Sequence, residues 1–381
     1  MFIDTIDGKI NGFKCKYVYL DKLFNGKLDE KRGKTKIIDT VNIFISLESL
    51  FYSIRQTTIE KHLNKMEKKE IRSVYRQIIS NIINVSAHYR NYFSRHHVKS
   101  NIIYYFNEVP DTESKYNNSA IWEDYRYHYY ESLNSMDRMN INNMIRESIQ
   151  FIRIITEYIE DVYMVGTTHV ESSMVPFTFM MENFLPCNVN IIVTKDSYDF
   201  QYCTYNSLVI TRQGMEPVLL TKKNLMKYLM VVNDMNVEET RVIHHKLLTF
   251  ILACRGDKKR SLETSKGLGF KTIYKQLLAL YEAGYLLDDD PDTMSLQSLM
   301  HVFNKNGKFK YLQDAEEEIK RIIAKYHVID FETQYRVINK TQKKQMEIQL
   351  TNKTDPGALV EINERYFSDY PLQLMELNQF D

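Results

Sequence analysis

Apolar and polar positions fall in blocks along this chain, and the blocks switch between two periods. Val41-Asn-Ile-Phe-Ile, Asn101-Ile-Ile-Tyr-Tyr-Phe, Val162-Tyr-Met-Val, Val189-Asn-Ile-Ile-Val-Thr and Ser207-Leu-Val-Ile-Thr are short, nearly continuous apolar runs rich in β-branched and aromatic residues. Runs of that length and composition predict buried strands. Between them the period lengthens. Ile71, Val74, Tyr75, Ile78, Ile79 and Ile82 recur three and four residues apart within a stretch, 57–98, expected to be helical. Helices are also expected over 139–159 and about 172–184, with Pro176 near the start of the latter, where it is tolerated. Strands separated by helical stretches predict an α/β fold: a central, mostly parallel sheet flanked by helices.

The two ends read differently. Residues 1–36 predict a small hairpin, with turn chemistry at Gly8-Lys9 and a β-prone run from Phe13 to Tyr19. From 222 onward the pattern is mainly helical. Asp314–Tyr326 opens on acids and closes on bases, which suits the helix macrodipole, and 340–381 is less regular. The predicted organisation is an N-terminal hairpin extension (1–36), an α/β domain (37–240), a subdomain of two helices joined by a hairpin (241–300) and a C-terminal extension (301–381).

Composition narrows the function. With 381 residues, 44% of them hydrophobic, and a net charge of +1, the chain can bury a large core and is no polycationic tail. Any nucleic-acid binding must come from a local patch, and one is visible. Between Arg255 and Lys271 there are six basic residues and two acidic ones, a local excess of four. That run follows the apolar segment Leu247–Cys254 and a Gly256-Asp257 turn, and ends in Gly267-Leu-Gly269-Phe-Lys271. This is the layout of a helix-hairpin-helix. Its glycines would allow close approach and positive φ, and the N–H groups opening the next helix would meet a phosphate. Lys258, Lys266 and Lys271, with Gly267 and Gly269, are the expected DNA contacts, positioning the backbone without reading sequence. The alternative is a plain helix–turn–helix packing unit with a solvated charge run.

Other patterns exclude more than they suggest. Cys15, Cys187, Cys203 and Cys254 are scattered, which disfavours structural zinc and disulfides and points to a reducing compartment. No apolar run is long enough to cross a membrane, and Met1-Phe-Ile-Asp lacks the basic start of a signal peptide. The expectation is a cytoplasmic protein with no membrane partner. The 27 tyrosines, with abundant Ile, Asn and Lys, suggest an AT-rich coding sequence. Tyr125-Arg-Tyr-His-Tyr-Tyr interleaves aromatics with Arg126, which suits stacking on single-stranded bases or packing against a neighbouring helix or protein. The pairs His96-His97 and His244-His245 point apart on a helix and are expected at surfaces or caps. No Ser-His-Asp arrangement, P-loop or dinucleotide fingerprint is present.

Over roughly 41–285 the order of these elements resembles the flap endonuclease and 5′-exonuclease family, with its PIN-like fold, its phage and bacterial members especially. In that family a first strand ends on an Asp. A basic arch follows a later strand, and an acidic motif opens a helix. Another strand ends in Thr-x-Asp-x-Asp, and a Gly-Asp turn leads into a Gly-x-Gly-x-Lys hairpin. Here the hairpin matches through Gly256-Asp257, Gly267, Gly269 and Lys271, and the strand-end motif through Thr194-Lys-Asp196-Ser-Tyr-Asp199, with one residue too many between the acids. Arg126 falls in the place of the arch.

The resemblance implies phosphodiester hydrolysis by two divalent metals held on carboxylates. The departures imply its loss. Ser46 stands at the first-strand Asp position, and Ser172 and Ser173 stand at two others, beside Glu171. Asp257 is kept, but Arg260 falls where a further acid belongs. Glu108 could replace one acid, and Asp196, Asp199 and Asp257 are the candidates for any metal that binds. For Asp196 and Asp199 the alternative is capping, and for Arg260 it is a solvated loop arginine against a salt bridge that replaces a metal. The resulting expectation is a catalytically degenerate relative with no cofactor (Mg²⁺ or Mn²⁺ should activity remain). It would be viral, binding branched DNA or a single-strand/duplex junction, or acting with other phage proteins in the host cytoplasm or virion. The alternatives are an active 5′-nuclease with a rearranged one-metal site and a purely structural protein-interaction subunit.

Overall fold

The computed structural model describes residues 9–10, 13–14, 38–47, 82, 84–108, 149–150, 152–154, 156–157, 159–168, 170–205, 207–213, 216–237, 240, 242–257, 260, 262–265, 268–284 and 315–351. The chain divides into two compact units. One comprises Met1–Tyr19, Lys115–Tyr130 and Asp196–Val337; the other comprises Leu20–Ser114, Glu131–Lys195 and Ile338–Asp381. The strands are β1 (Lys9–Ile10), β2 (Phe13–Lys14), β3 (Thr40–Ser46), β4 (Lys99–Asn107), β5 (Val162–Thr167), β6 (Val189–Val193), β7 (Leu208–Gln213) and β8 (Glu216–Leu220). The helices used below are α1 (Met174–Glu182), α2 (Leu225–Val232), α3 (Leu248–Arg255), α4 (Phe270–Glu282), α5 (Ala315–Ile329), α6 (Phe331–Val337) and α7 (Lys340–Ile348).

In the second of these units β3 pairs in parallel with β4 on one side and β6 on the other, and β4 pairs in parallel with β5. Parallel strands are covered on both faces, which is why they read as continuous apolar runs. Val41, Ile43, Phe44, Ile102, Ile103, Ile191 and Ile192 are all fully buried. One polar position interrupts each of three strands at the same level: Asn42 lies in register with Asn101 and with Asn190. The Asn101 amide donates to Asn42 Oδ1 at 2.8 Å, and Asn42 Nδ2 donates to the Leu185 carbonyl at 2.7 Å. A one-residue slip would leave these amides unpaired in the core, so the ladder fixes register. Helix α1 lays Phe179 edge-on against Phe44, with ring centroids 5.6 Å apart, and ends at Asn183 in the left-handed region. Residues 84–95 are helical, within the expected 57–98.

Helix α7 falls where the sequence pattern is irregular. It is started by a reciprocal capping box between Asn339 and Gln342. Lys343 pairs with Glu182 at 2.7 Å. Just past the helix the Gln349 amide acts as a piece of strand: Oε1 accepts from Gly166 N–H at 2.8 Å and Nε2 donates to Gly166 O at 3.0 Å. Gly166 lies on β5, whose backbone is thereby satisfied on its unpaired side.

In the other unit β1 and β2 form a small antiparallel pair, Ile10 opposite Phe13; Lys9, read from the sequence as part of the turn, lies in β1 and pairs with Lys14. Strands β7 and β8 form an antiparallel hairpin. A 3-10 helix, Ser197–Tyr205, packs its aromatic face on α6: Phe331 meets the Tyr198 and Tyr202 rings at 5.2 and 4.6 Å. Gln201 is buried and bridges elements, accepting from Thr249 Oγ1 at 2.7 Å and donating to the Ile329 carbonyl at 3.2 Å. Helices α3 and α4 stand where the sequence places the two helices of the hairpin. The six larger strands, mostly parallel and flanked by helices, give the predicted α/β class.

Candidate functional site: an arginine held between two acids

The residues expected to mark a degenerate metal site occur in both units. Asp196, Asp199, Asp257 and Arg260 belong to the first; Ser46, Glu108, Glu171, Ser172 and Ser173 belong to the second.

In the first unit the loop after α3 builds the site. Gly256 has φ +73°, and a Cβ there would lie 2.5 Å from the carbonyl oxygens of Leu262 and Glu263. Only glycine fits that turn. Asp257 then exchanges backbone hydrogen bonds with Leu262, both 2.9 Å, and its carbonyl accepts from Arg260 N–H at 3.1 Å. The tight loop carries the Arg260 side chain into the protein, where the residue is 1% exposed. Its guanidinium meets Asp196 through two bonds, 3.4 and 3.1 Å, and Asp257 Oδ2 at 2.5 Å. The Tyr198 ring lies beneath it, 3.9 Å from Cζ to centroid. Arginine suits this place because its planar fork serves two carboxylates at once and its face stacks on an aromatic ring. Asp196 also caps the 3-10 helix, accepting from Tyr198 N–H at 3.0 Å.

Of the two readings of Arg260, the geometry is that of the buried salt bridge. The solvated-loop reading is corrected, because Gly256 and Asp257 fold the loop back on itself. Asp199 is buried in the 3-10 helix and its N–H donates to the Asp196 carbonyl at 3.1 Å. Asp196, Asp199 and Asp257 are the sequence's candidates for any metal that binds; among the described residues no three His, Cys, Asp or Glu side chains converge as a group that could hold a metal ion. The two acids that do converge hold a guanidinium between them.

In the second unit the positions lie at or just beyond the carboxyl ends of parallel strands, where open α/β sheets place their ligands. Ser46 ends β3 and is buried. Glu108 follows β4, donates its N–H to Thr167 O at 2.8 Å, and pairs with Arg153 at 3.0 Å. Ser172 and Ser173 are each 5% exposed, and Ser172 N–H donates to Asn107 Oδ1 at 2.8 Å. Glu171 is buried beside them. Of these five positions three carry neutral hydroxyls, and of the two acids Glu108 is paired with Arg153.

The DNA-contact candidates divide. Gly269 and Lys271 are exposed at the start of α4. Gly269 has φ −72°, so among the described glycines of this segment the positive φ is that of Gly256; a Cβ on Gly269 would meet nothing within 4 Å. Open space there admits a ligand backbone. Arg126, Lys258, Lys266 and Gly267 lie outside the described residues. The sequence did not point to Tyr198 beneath Arg260 or to Arg153 beside Glu108, because neither contact leaves a local signature. His244 caps, accepting from Lys246 N–H at 3.3 Å, and no described helix is long and apolar enough to cross a membrane.

The fold is that of the flap endonucleases and 5′-exonucleases. A zinc-bound 5′-exonuclease of bacteriophage T5 aligns with a TM-score of 0.53 at 10% identity, covering 82% of this chain and 98% of that one. A bacteriophage T5 flap endonuclease, an Asp-to-Lys variant in a pseudo-enzyme–product complex with DNA and metal ions, aligns with a TM-score of 0.54 at 10% identity over the same shares. No known protein-family description matches the sequence, and no curated protein matches it. Those structures hold metal ions; among the described residues here no three His, Cys, Asp or Glu side chains are grouped to hold one.

Proposed function

We propose that this chain is a catalytically degenerate 5′-nuclease-like protein that binds DNA, branched or at a junction of single strand and duplex, as part of a viral replication, transcription or virion assembly. The observation that carries this reading is Arg260, buried between Asp196 and Asp257. A divalent cation bound to those acids would sit within a few ångströms of a fixed positive charge. Two unit charges about 4 Å apart cost about 4 kcal/mol at an effective dielectric of 20, and a dication doubles that. In the other unit, serines occupy three positions where the resemblance places acids: Ser46, Ser172 and Ser173. The T5 neighbour with one acid-to-base exchange forms a pseudo-enzyme–product complex with DNA. Binding on this chain would rest on the hairpin, through Lys258, Lys266, Lys271 and the N–H groups opening α4 at Gly269, with Arg126 stacking or pairing beside the path.

The test is incubation of the purified protein with a 5′-flap DNA, with Mg²⁺, with Mn²⁺ and with chelator, read for cleavage and for band shift. A shift without cleavage in all three conditions is expected. Metal-dependent cleavage that Asp196→Ala abolishes would restore the one-metal nuclease, and neither shift nor cleavage would favour a protein-interaction subunit.

A further inference from the structure

Helix α5 lies beyond the stretch, roughly 41–285, over which the sequence motifs resemble the nucleases, yet its side chains hold the hairpin loop. Lys325, 1% exposed, donates from Nζ to the Glu263 carbonyl at 3.0 Å and to Ser265 Oγ at 2.8 Å, with the Glu318 carboxylate at 3.9 Å. One turn earlier Arg321 pairs with the Glu263 carboxylate. The segment so gripped connects the two hairpin helices. Ser265 N–H donates to the Cys254 carbonyl, 3.3 Å away, near the end of α3. Leu268 N–H donates to the Ser265 carbonyl at 2.9 Å, one residue before the Gly269 that opens α4.

A buried ammonium is costly, and an apolar side chain on this face of α5 would pack without that cost. Burial lowers the Lys325 pKa, with Glu318 acting in the opposite direction. What a hydrocarbon could not supply is a set of donors for a loop carbonyl and a loop hydroxyl. Removing them leaves the buried Ser265 hydroxyl and the Glu263 carbonyl without this donor and the segment 263–265 free to shift.

We propose that Lys325 is a positioning residue of the nucleic-acid interface: its ammonium fixes the path of 263–265, and so the placement of Gly269 and Lys271 for a DNA backbone it does not itself touch. This rests on the DNA-binding reading above. The test compares wild type, Lys325→Met, which keeps the packing and removes the donors, and Lys325→Ala, which makes room for n-propylammonium in place of the lost chain. Amide exchange at Ser265 and Leu268 is measured without DNA, and 5′-flap affinity is measured across a salt titration. Lys325→Met is expected to speed exchange at both amides and weaken affinity by about 10-fold, the effect of losing one charged hydrogen bond, with the salt slope unchanged. Added n-propylammonium is expected to restore affinity to Lys325→Ala and to leave Lys325→Met unaffected. Faster exchange with wild-type affinity would overturn the proposal while leaving DNA binding intact. A slope reduced by about 0.9 would make Lys325 a phosphate contact instead and overturn it as well. A wild type that exchanges slowly and binds no DNA would identify the failure as that of the underlying reading.

Discussion

One guanidinium faces two carboxylates at Arg260, so the cluster keeps a net negative charge although its centre is closed to solvent. Asp196 and Asp257 retain 14% and 28% of their side-chain exposure, while the arginine retains 1%. The pair of acids is thus reachable from outside, and the arginine is what occupies it. Arg260→Met keeps an apolar stem and removes the guanidinium that lies over Tyr198, and with it the charge. Two acids then repel each other without compensation, and a loss of about 3–5 kcal/mol of stability is expected, as for other broken buried ion pairs. The same vacancy suits a cation. Excess Mg²⁺ or Mn²⁺ is expected to raise the melting temperature of the variant and leave wild type unmoved, since a ligand that binds only the folded state stabilises it. Thermal melts of both proteins with and without metal decide this, and a variant indifferent to metal would show that the acids form no cation pocket. The sequence carried the ingredients of this cluster, Gly256-Asp257 and Arg260 within five positions, but not its geometry. Asp196 is 64 residues from Arg260, and nothing local distinguishes an arginine that turns inward from one in water.

Helix α4 shows how an element is anchored from outside itself. Tyr274 on its buried face accepts from Ile243 N–H at 2.9 Å and donates to Met230 Sδ of α2 at 3.1 Å. Burial pushes its pKa from 10.0 up to about 12. An unfolded tyrosine therefore ionises before the folded one. Below pH 10 the stabilising contribution is complete; between pH 10 and about 12 unfolding releases a proton and stability falls as pH rises. Tyr274→Phe is expected to lose about 0.5–1.5 kcal/mol at neutral pH with its hydrogen bonds, and to show a shallower fall across the alkaline window. Denaturant melts at a series of pH values check both, and parallel curves would remove Tyr274 as the source. Tyr104, raised by burial as well, is common to both proteins and cancels in the difference. At this scale the sequence was most legible. The runs at Val41, Asn101, Val162, Val189 and Ser207 all became strands, the first four because parallel strands buried on both faces must be apolar throughout. Strand β8 escaped, since Glu216-Pro-Val-Leu-Leu is short and carries a proline at its second position. Helix α7 escaped because its stabilising capping box is polar and its only buried residue is Met346.

Across the whole molecule a net charge of +1 sets no long-range field, so affinity for DNA must be built from a few placed cations. The basic run after α3 supplies them unevenly. Arg260 is spent inside the protein on two acids, whereas Lys271 is exposed on the first turn of α4 and Arg255 is exposed at the end of α3. Counting charges along the sequence overstates the patch, because the count cannot see which cation faces inward. Each phosphate contact releases counterions and steepens the dependence of affinity on salt by about 0.9 in the log–log slope. Replacing Lys258, Lys266 and Lys271 with alanine, singly and together, is therefore expected to weaken binding to a 5′-flap DNA and to lower the slope by about 0.9 for each lysine that meets a phosphate. Arg260→Met, by contrast, is expected to leave the slope where it was, since that guanidinium faces acids and not solvent. Salt titrations of the lysine variants and of Arg260→Met separate the two roles in one experiment. Lysine variants with the wild-type slope would make the run a solvated surface and move the protein's partner from DNA to another protein. A slope that falls in Arg260→Met would mean that the arginine leaves its acids when DNA arrives, and that the closed centre is part of the binding surface after all.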